Sequence, residues 1–223
     1  CLQIEAGKIR VIAPDVGGGF GTKMQLLPEE VILAYAARKH ETSLKWIQDR
    51  AESLQASFHA RDIEVQAELI GSDDGEFVAI KARAYCDVGA YSSFPLTCAL
   101  EPITVLGGLT GPYKIPEVEY EGFALASNKC PQGAYRGVGF PMDPIVLEGL
   151  IDRYARKIEM NPMEVRRRNL LTASDFPYAA PTGSVYDSGD YLKLFDIALE
   201  QSNHGEWMKR KDEKKNASER LGI

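Results

Sequence analysis

The sequence predicts an α+β fold, with antiparallel strands and a glycine-loop β–α unit in the first part and helices in the last third. Residues 63–69 alternate apolar with polar or charged side chains up to a tight-turn sequence, Asp73-Asp74-Gly75, as a half-buried strand entering a hairpin does. After Pro141, apolar residues recur at helical spacing. Because strands come early and helices late, an α+β class is favoured over a doubly wound sheet.

The first elements surround a glycine-dense segment. Residues 9–13 (IRVIA) predict a short buried strand that leads into residues 17–21 (GGGFG). Pro28 suits the first position of a helix, and the apolar side chains within 31–37 give that helix a broad apolar face. This order of strand, glycine loop and helix is the predicted β–α unit.

The middle of the chain predicts further strands and irregular segments. Residues 44–47 predict a strand, and Asp49 is placed to cap a short helix over residues 50–57. Residues 77–85 continue the hairpin, and residues 118–125 form a further strand. The glycine- and proline-punctuated segments 96–113 and 127–141 predict loops with short elements.

The last third predicts three helices. Asp143 is expected to cap the first, with Pro144 at its first position. A second helix follows Asn161-Pro162, and a third spans residues 191–201. The mostly charged residues 206–223 predict a linker or terminal helix. The apolar stripe of the first helix comprises Leu147, Leu150, Ile151, Tyr154 and Ile158.

Composition excludes several classes of protein. The 223 residues carry a net charge of −6, which argues against a nucleic-acid binder. No apolar run is long enough for a membrane span. The four cysteines and three histidines are dispersed, so no metal site held by protein side chains is predicted. Dispersed cysteines favour reduced thiols and a cytoplasmic location, which makes the glycosylation sequence at residues 216–218 incidental.

The glycine segment 17–21 admits two interpretations. It is either a tight turn whose Phe20 fills a core, or a loop whose amides hold a phosphate or polar cofactor while Phe20 covers the reactive face. Thr22 stands where a Walker motif needs lysine and also where a dinucleotide fingerprint needs its third glycine. Both familiar nucleotide motifs therefore fail.

A second glycine-rich segment, residues 133–139 (GAYRGVG), carries Arg136 between glycines and beside Tyr135. A guanidinium in such a loop suits a bidentate grip on phosphate or a pterin-like group. It also suits an ion pair with a carboxylate or simple exposure to solvent. Neither segment decides the function by itself.

Taken together and in this order, the two segments resemble the molybdenum-cofactor-binding region of the large subunit of the xanthine dehydrogenase, aldehyde oxidase and carbon monoxide dehydrogenase family. The resemblance covers essentially the whole chain. The similar stretches are residues 11–23 (VIAPDVGGGFGTK), 45–62 (KWIQDRAESLQASFHARD), 111–116 (GPYKIP), 134–139 (AYRGVG), 161–171 (NPMEVRRRNLL), 176–178 (FPY) and 186–189 (YDSG).

The resemblance implies the cofactor and the chemistry of the site. Members hold molybdenum through a pterin, in the cytosine dinucleotide form in bacteria and archaea, with no protein side chain on the metal. They carry out oxidative hydroxylation with water as the oxygen source. Residues implied to lie against the cofactor are Gly18, Gly19, Phe20 and Gly21 in the first segment and Ala134, Tyr135, Arg136 and Gly137 in the second.

Departures from the family pattern bear on the substrate. Gly137 stands where carbon monoxide dehydrogenases carry cysteine, and Met24 stands where xanthine-oxidising members carry glutamate. No arginine lies between Glu101 and Tyr113, where purine-oxidising relatives place one. An aldehyde or an aromatic heterocycle is therefore the expected substrate, with aldehydes preferred.

The resemblance also places the catalytic base outside this sequence, in a downstream glutamate motif, so no catalytic residue is assigned. Glu101 and Glu148 are expected to serve the surface or helix packing. We therefore expect residues 1–223 to be a fragment of the first molybdopterin-binding domain of a larger subunit, inactive and without cofactor when isolated.

Expected partners are the remaining domains, iron–sulfur and flavin subunits or domains and a small-molecule substrate, in a dimer of heteromers. The alternative is a non-catalytic nucleotide-binding or assembly module.

Overall fold

The computed structural model describes residues 2–214 and 221–223. Cys1 and the glycosylation sequence at residues 216–218 lie outside the described residues. The helices are α1 (Pro28–His40), α2 (Arg50–Ala56), α3 (Leu100–Gly107), α4 (Met142–Lys157), α5 (Pro162–Asn169), α6 (Tyr191–Gln201) and α7 (His204–Glu213). The strands are β1 (Ile63–Gly71), β2 (Phe77–Gly89), β3 (Glu117–Ala126), β4 (Tyr178–Ala179) and β5 (Val185–Tyr186). The predicted α+β class is confirmed.

The strands β1, β2 and β3 form a three-stranded sheet in the order β1-β2-β3. The predicted hairpin turn closes β1 onto β2, with the amide of Ser72 donating to the carbonyl of Glu76 at 2.9 Å. Cross-strand pairs between β2 and β3 advance in the same direction along both strands. They are Lys81 with Glu119, Arg83 with Glu121 and Tyr85 with Phe123. Strand β3 is thus parallel to β2, and the connection between them carries α3.

Two predicted strands do not form. Residues 9–13 and 44–47 are irregular, and within the described ranges no strand pairs with either segment. Their apolar side chains are exposed, Val11 by 87% and Ile47 by 70%. The buried strand of the predicted β–α unit was therefore wrong, because an apolar segment becomes a strand only where a partner supplies hydrogen bonds. The helix that follows the glycine segment does form.

Local capping signals were reliable at most helix starts. Pro28 occupies the first turn of α1, and Asp49 accepts a hydrogen bond from the amide of Glu52 at 2.8 Å at the start of α2. Asn161 caps α5 in the same way. The predicted cap at Asp143 was wrong, because α4 begins at Met142 and Asp143 lies buried within its first turn.

The chain divides into two compact units. Unit 1 contains Cys1–Ala67, Ala82–Leu109 and Tyr120–Val146. Its buried side chains come from one face of β2, where every second residue is buried as on one face of a strand, and from α3. The buried residues are Ala82, Ala84, Cys86 and Val88 from β2 and Val105 and Leu106 from α3.

Unit 2 contains Glu68–Lys81, Thr110–Glu119 and Leu147–Ile223. The ring of Phe77 meets Tyr113 and Tyr154 edge-on, with centroids 5.8 and 5.7 Å away. Arg166, with only 11% of its side chain exposed, pairs with Glu148 at 2.7 Å and Asp152 at 2.9 Å. Glu148 therefore has a helix-packing role, as predicted.

The C-terminal region contains α7 and then the residues outside the description. Helix α7 ends at Glu213, so only part of the predicted charged terminal segment can be compared. Across the described ranges, no helix has both the length and the apolar character needed to cross a bilayer.

Candidate functional site

The two glycine-rich segments, separated by more than a hundred residues in sequence, meet in unit 1. We call residues 17–21 the first loop and residues 133–139 the second loop. The amide of Arg136 in the second loop donates to the carbonyl of Phe20 in the first loop at 2.8 Å. The structure thus brings together two segments that sequence patterns identify only separately.

Gly21 is the point of closest approach between the loops. It has a φ of +96°, and a Cβ atom there would lie 2.8 Å from the carbonyl oxygen of Ala134 and 3.2 Å from the amide nitrogen of Tyr135. These neighbours are backbone atoms, which cannot move aside as the end of a flexible side chain can. Glycine is therefore required at position 21 by both its conformation and its neighbours.

Gln25 connects the loops from behind. The residue is only 3% exposed. With the carboxamide oriented to match its neighbours, its nitrogen donates to the carbonyl of Gly21 at 3.2 Å and its oxygen accepts from the amide of Ala134 at 2.5 Å. One side chain therefore satisfies a backbone group on each loop.

Arg61, which lies just before β1, holds the second loop along its length. Its Nε donates to the carbonyl of Val138 at 3.3 Å, and Nη2 donates to that of Tyr135 at 3.4 Å. Nη2 also donates to the carbonyl of Arg136. The guanidinium lies over the Tyr135 ring at 4.9 Å from its centroid. A rigid fork with several donors is suited to this role because it reaches several carbonyls at once.

Helix α3 supports the end of the second loop. The amide of Gly139 donates to Oγ1 of Thr104 at 3.0 Å. A Cβ on Gly139 would lie 2.6 Å from the amide nitrogen of Val105, so only glycine allows this approach. The second loop is consequently fixed from three sides, by Gln25, Arg61 and α3.

One non-glycine residue of each loop, and Arg61 beside them, have left-handed backbone conformations. Phe20, Arg61 and Val138 have positive φ values of 48°, 64° and 51°. This region is rare for residues other than glycine and a clear outlier for a β-branched residue such as valine. Strain of this kind persists where surrounding contacts enforce it, and it is common at functional sites.

A buried carboxyl group lies behind the second loop. Glu101 on α3 is 1% exposed, and neither of its carboxyl oxygens has a hydrogen-bond partner among the described residues. Burial raises its pKa, while the charge of Arg61 and the neighbouring His59 oppose that rise. Burial and the nearby Glu101 also raise the pKa of Cys86 to about 12. Glu101 thus belongs to the interior support of the site, and the predicted surface alternative was wrong.

The front of the site is open. Gly17, Gly18 and Phe20 are exposed, and Phe20 is 60% exposed. The interpretation of Phe20 as a core-filling residue was therefore wrong. Within the described part of the chain, no acceptor meets the backbone amides of residues 17–21. Five successive free amides on an exposed loop are suited to the oxygens of a phosphate or another polar group.

Arg136 lies at the same open face. Its guanidinium is above the Phe20 ring, 5.9 Å from the centroid. In residues 2–214 and 221–223 no carboxylate forms an ion pair with it, and its exposure agrees with the alternative of an arginine that faces solvent. An exposed guanidinium beside free amides is a second group that can bind an anionic or pterin-like ligand.

The site residues implied by the family resemblance divide between this open face and its support. Gly18, Phe20, Tyr135, Arg136 and Gly137 are exposed, whereas Ala134 is buried. Gly19 and Gly21 are intermediate in exposure. Among the described residues, no group of three or more His, Cys, Asp or Glu side chains is placed to hold a metal ion.

Sequence reasoning missed Gln25, Arg61 and Thr104 as supporting residues. Their partners are distant in sequence or are backbone groups, so no motif links them to the loops. The only sequence feature that pointed to Arg61 was its place within the family-like stretch 45–62. No sequence feature pointed to Gln25 or Thr104.

Comparison with known proteins agrees with this geometry. Residues 1–170 match the family described as the molybdopterin cofactor-binding domain. The chain is 37% identical over 223 residues to the nicotine 6-hydroxylase large subunit of Paenarthrobacter nicotinovorans, covering 100% of this chain and 27% of that subunit. It is 30% identical over 210 residues to the carbon monoxide dehydrogenase large chain of Hydrogenophaga pseudoflava, covering 92% of this chain and 26% of that one.

A solved structure shows the same fold. The quinoline 2-oxidoreductase from Pseudomonas putida 86 superposes with a TM-score of 0.86 at 39% sequence identity, over 91% of this chain and 26% of that one. The chain thus spans about a quarter of the length of the relatives it matches.

Proposed function

Because the chain belongs to the molybdopterin cofactor-binding domain family, we propose that it forms part of the cofactor-binding wall in the large subunit of a molybdenum hydroxylase. The observation that carries this proposal is the contact between the two loops, whose open face presents amides and a guanidinium that have no acceptor or carboxylate partner among the described residues. The two groups are complementary to the phosphate and pterin oxygens of such a cofactor.

The proposed contacts follow from where the residues lie. The amides of Gly18, Gly19 and Gly21 donate to cofactor oxygens, and Phe20 covers one face of the group. Arg136 binds an anionic or carbonyl oxygen, flanked by the backbone of Tyr135. Ala134 and Gly137 shape the second loop so that it approaches closely. When bound, the molybdenum–pterin group supplies a two-electron oxidation in which water provides the oxygen atom.

For the substrate, we propose an aromatic nitrogen heterocycle before an aldehyde. This reverses the preference based on sequence alone. Support comes from two relatives that are named for nicotine and quinoline, both of which contain a pyridine ring. Purified full-length enzyme should turn over quinoline with a kcat/KM at least tenfold above that for benzaldehyde. A higher kcat/KM for benzaldehyde than for quinoline would instead support an aldehyde as the substrate.

The remaining parts of the assignment are also proposals. The pterin carries a cytosine dinucleotide, and residues 1–223 belong to the first molybdopterin-binding domain, with 206–223 a charged linker or terminal helix. The rest of the subunit and iron–sulfur and flavin partners complete a cytoplasmic dimer of heteromers. The exposed apolar side chains at Val11, Ile12 and Ile47 support a covering partner for unit 1. The isolated chain is expected to lack both cofactor and activity.

Arg136 provides the direct test of the proposed site. In the full-length subunit purified with its partners, Arg136→Met should lower the molybdenum content per subunit by about tenfold or more, because charge-assisted hydrogen bonds contribute about 1.5–3 kcal/mol each. Arg153→Met, which changes an exposed arginine of α4, is the matched control and should keep its molybdenum. Equal metal content in both variants would argue against cofactor binding at this face.

A further inference from the structure

We infer that Gln25 is a positioning residue for the cofactor, acting through the two loops without touching the cofactor itself. This inference rests on the proposed function, since it assumes that the loops bind molybdopterin. Gln25 does not belong to either glycine segment, and its side chain is buried in contact with both loops. Its role follows from three features of its surroundings.

The first feature is the reciprocal bonding of its carboxamide. The nitrogen donates to the carbonyl of Gly21 and the oxygen accepts from the amide of Ala134. The amide of Ala134 has no other acceptor among the described residues, whereas the carbonyl of Gly21 also accepts from the amide of Met24 at 3.0 Å. Methionine has a similar length but no amide group. It would leave the buried amide of Ala134 without an acceptor and would remove one hydrogen bond from the carbonyl of Gly21.

The second feature is burial. At 3% exposure, Gln25 leaves little access for water to replace its bonds. Buried polar groups are paired in folded proteins because an unpaired group costs more than an exposed one. The two hydrogen bonds from Gln25 to the loops therefore cannot readily be replaced by bonds to solvent.

The third feature is the space that the second loop leaves for the Gln25 carboxamide. With the same orientation of the carboxamide, a Cβ on Gly133 would lie 2.5 Å from the Gln25 side-chain oxygen and 2.7 Å from Cβ of Phe58. The glycine that opens the second loop thus makes room for the carboxamide. Since Gly21 and Ala134 are proposed cofactor contacts, the same side chain sets the relative position of contacts on both loops.

The test uses the full-length subunit with its partner subunits, because cofactor retention belongs to the assembled enzyme. Molybdenum content and the fluorescence of the oxidised pterin are followed over time at a temperature well below the unfolding midpoint. Gln25→Met should release cofactor about 5- to 30-fold faster than the unmodified enzyme, as expected for one or two lost hydrogen bonds. Gln66→Met, at an exposed glutamine of β1, should release it at the unmodified rate.

The outcomes separate a positioning role from a purely structural one. A lower unfolding midpoint for Gln25→Met without faster release would overturn the inference, as would an unchanged release rate. If that variant does not accumulate, Gln25→Glu decides the question, because its carboxylate can accept from Ala134 but cannot donate to Gly21. Release at least about fivefold faster supports the inference, and unmodified release overturns it.

The failure of this inference can be told apart from the failure of the proposed function. If the unmodified enzyme contains no molybdopterin, the proposed function fails. If it contains molybdopterin and Gln25→Met retains it equally well, only the positioning role fails. Amide hydrogen exchange of the unmodified enzyme tests the inference without any variant. The amide of Ala134 should be protected from exchange with solvent, and rapid exchange at that amide would overturn the inference.

Discussion

Replacing Gly21 by alanine is the sharpest test of the contact between the two loops. The added Cβ would meet the carbonyl oxygen of Ala134 at 2.8 Å and its carbonyl carbon at 2.9 Å. Both atoms belong to the backbone, so the second loop as a whole would have to move. The φ of +96° at Gly21 adds a conformational cost for any residue with a side chain.

The magnitude follows from these two effects. A left-handed backbone costs about 1–2 kcal/mol for an ordinary residue, and forcing an extra methyl group into a packed site costs about 1–3 kcal/mol. We therefore expect the local opening free energy of the loops to fall by about 2–5 kcal/mol. This is a large share of the 5–15 kcal/mol that stabilises a typical domain.

Hydrogen exchange read by mass spectrometry measures this change locally. In the full-length subunit, peptides covering residues 17–26 and 131–140 of Gly21→Ala should exchange at least about 30-fold faster than in the unmodified protein. Gly17→Ala is the matched control, because no atom lies within 4 Å of its added Cβ and such a change stays within about 1 kcal/mol. If both variants exchange alike, the reasoning from close loop contact is refuted.

Three further predictions concern the support of the loops and the interior of the units. Arg61→Lys should speed exchange across residues 133–139 about tenfold, because an ammonium cannot reach three carbonyls as the guanidinium does; unchanged exchange would contradict the clamp. Burial raises the pKa of Asp143 in the folded protein to about 7, whereas an aspartate in the unfolded chain has a pKa of about 4. The protonated carboxyl therefore contributes its full stabilisation below about pH 4, and this contribution is lost as the pH rises through 7. The unfolding midpoint of Asp143→Asn relative to the unmodified protein should therefore be higher at pH 8 than at pH 5, and a constant difference would rule this out. Arg166→Met should lower the unfolding free energy by about 2–3 kcal/mol because Glu148 and Asp152 lose their shared partner; urea unfolding gives the value, and molybdenum per folded subunit should not change.

Much of the fold could be predicted because its signals are local. A helix start needs a side chain that accepts from an amide two or three residues away, so Pro28, Asp49 and Asn161 mark their helices without help from the rest of the protein. The turn at Asp73-Asp74-Gly75 likewise fixes the hairpin through contacts across a few residues. The same capping logic failed at Asp143, where burial placed the carboxyl inside the helix rather than before it.

Predictions failed where the deciding partner was distant. Residues 9–13 and 44–47 have the composition of strands, yet no neighbouring strand is available to them in the described ranges. The parallel direction of β3 was also beyond the sequence pattern, because alternation gives the faces of a strand and not its direction. Propensity is local, whereas pairing depends on which segments meet in space.

The sequence by itself identified both glycine-rich loops and, through their resemblance to a known family, the residues that we propose to lie against a cofactor. Only the tertiary structure decided that the loops touch at Gly21, that Phe20 is exposed and that Gln25 and Arg61 hold the loops in place. The physical reason is that these supporting contacts are made to backbone groups, which every residue carries. A sequence therefore shows the donors and acceptors available on side chains, but folding alone selects their backbone partners.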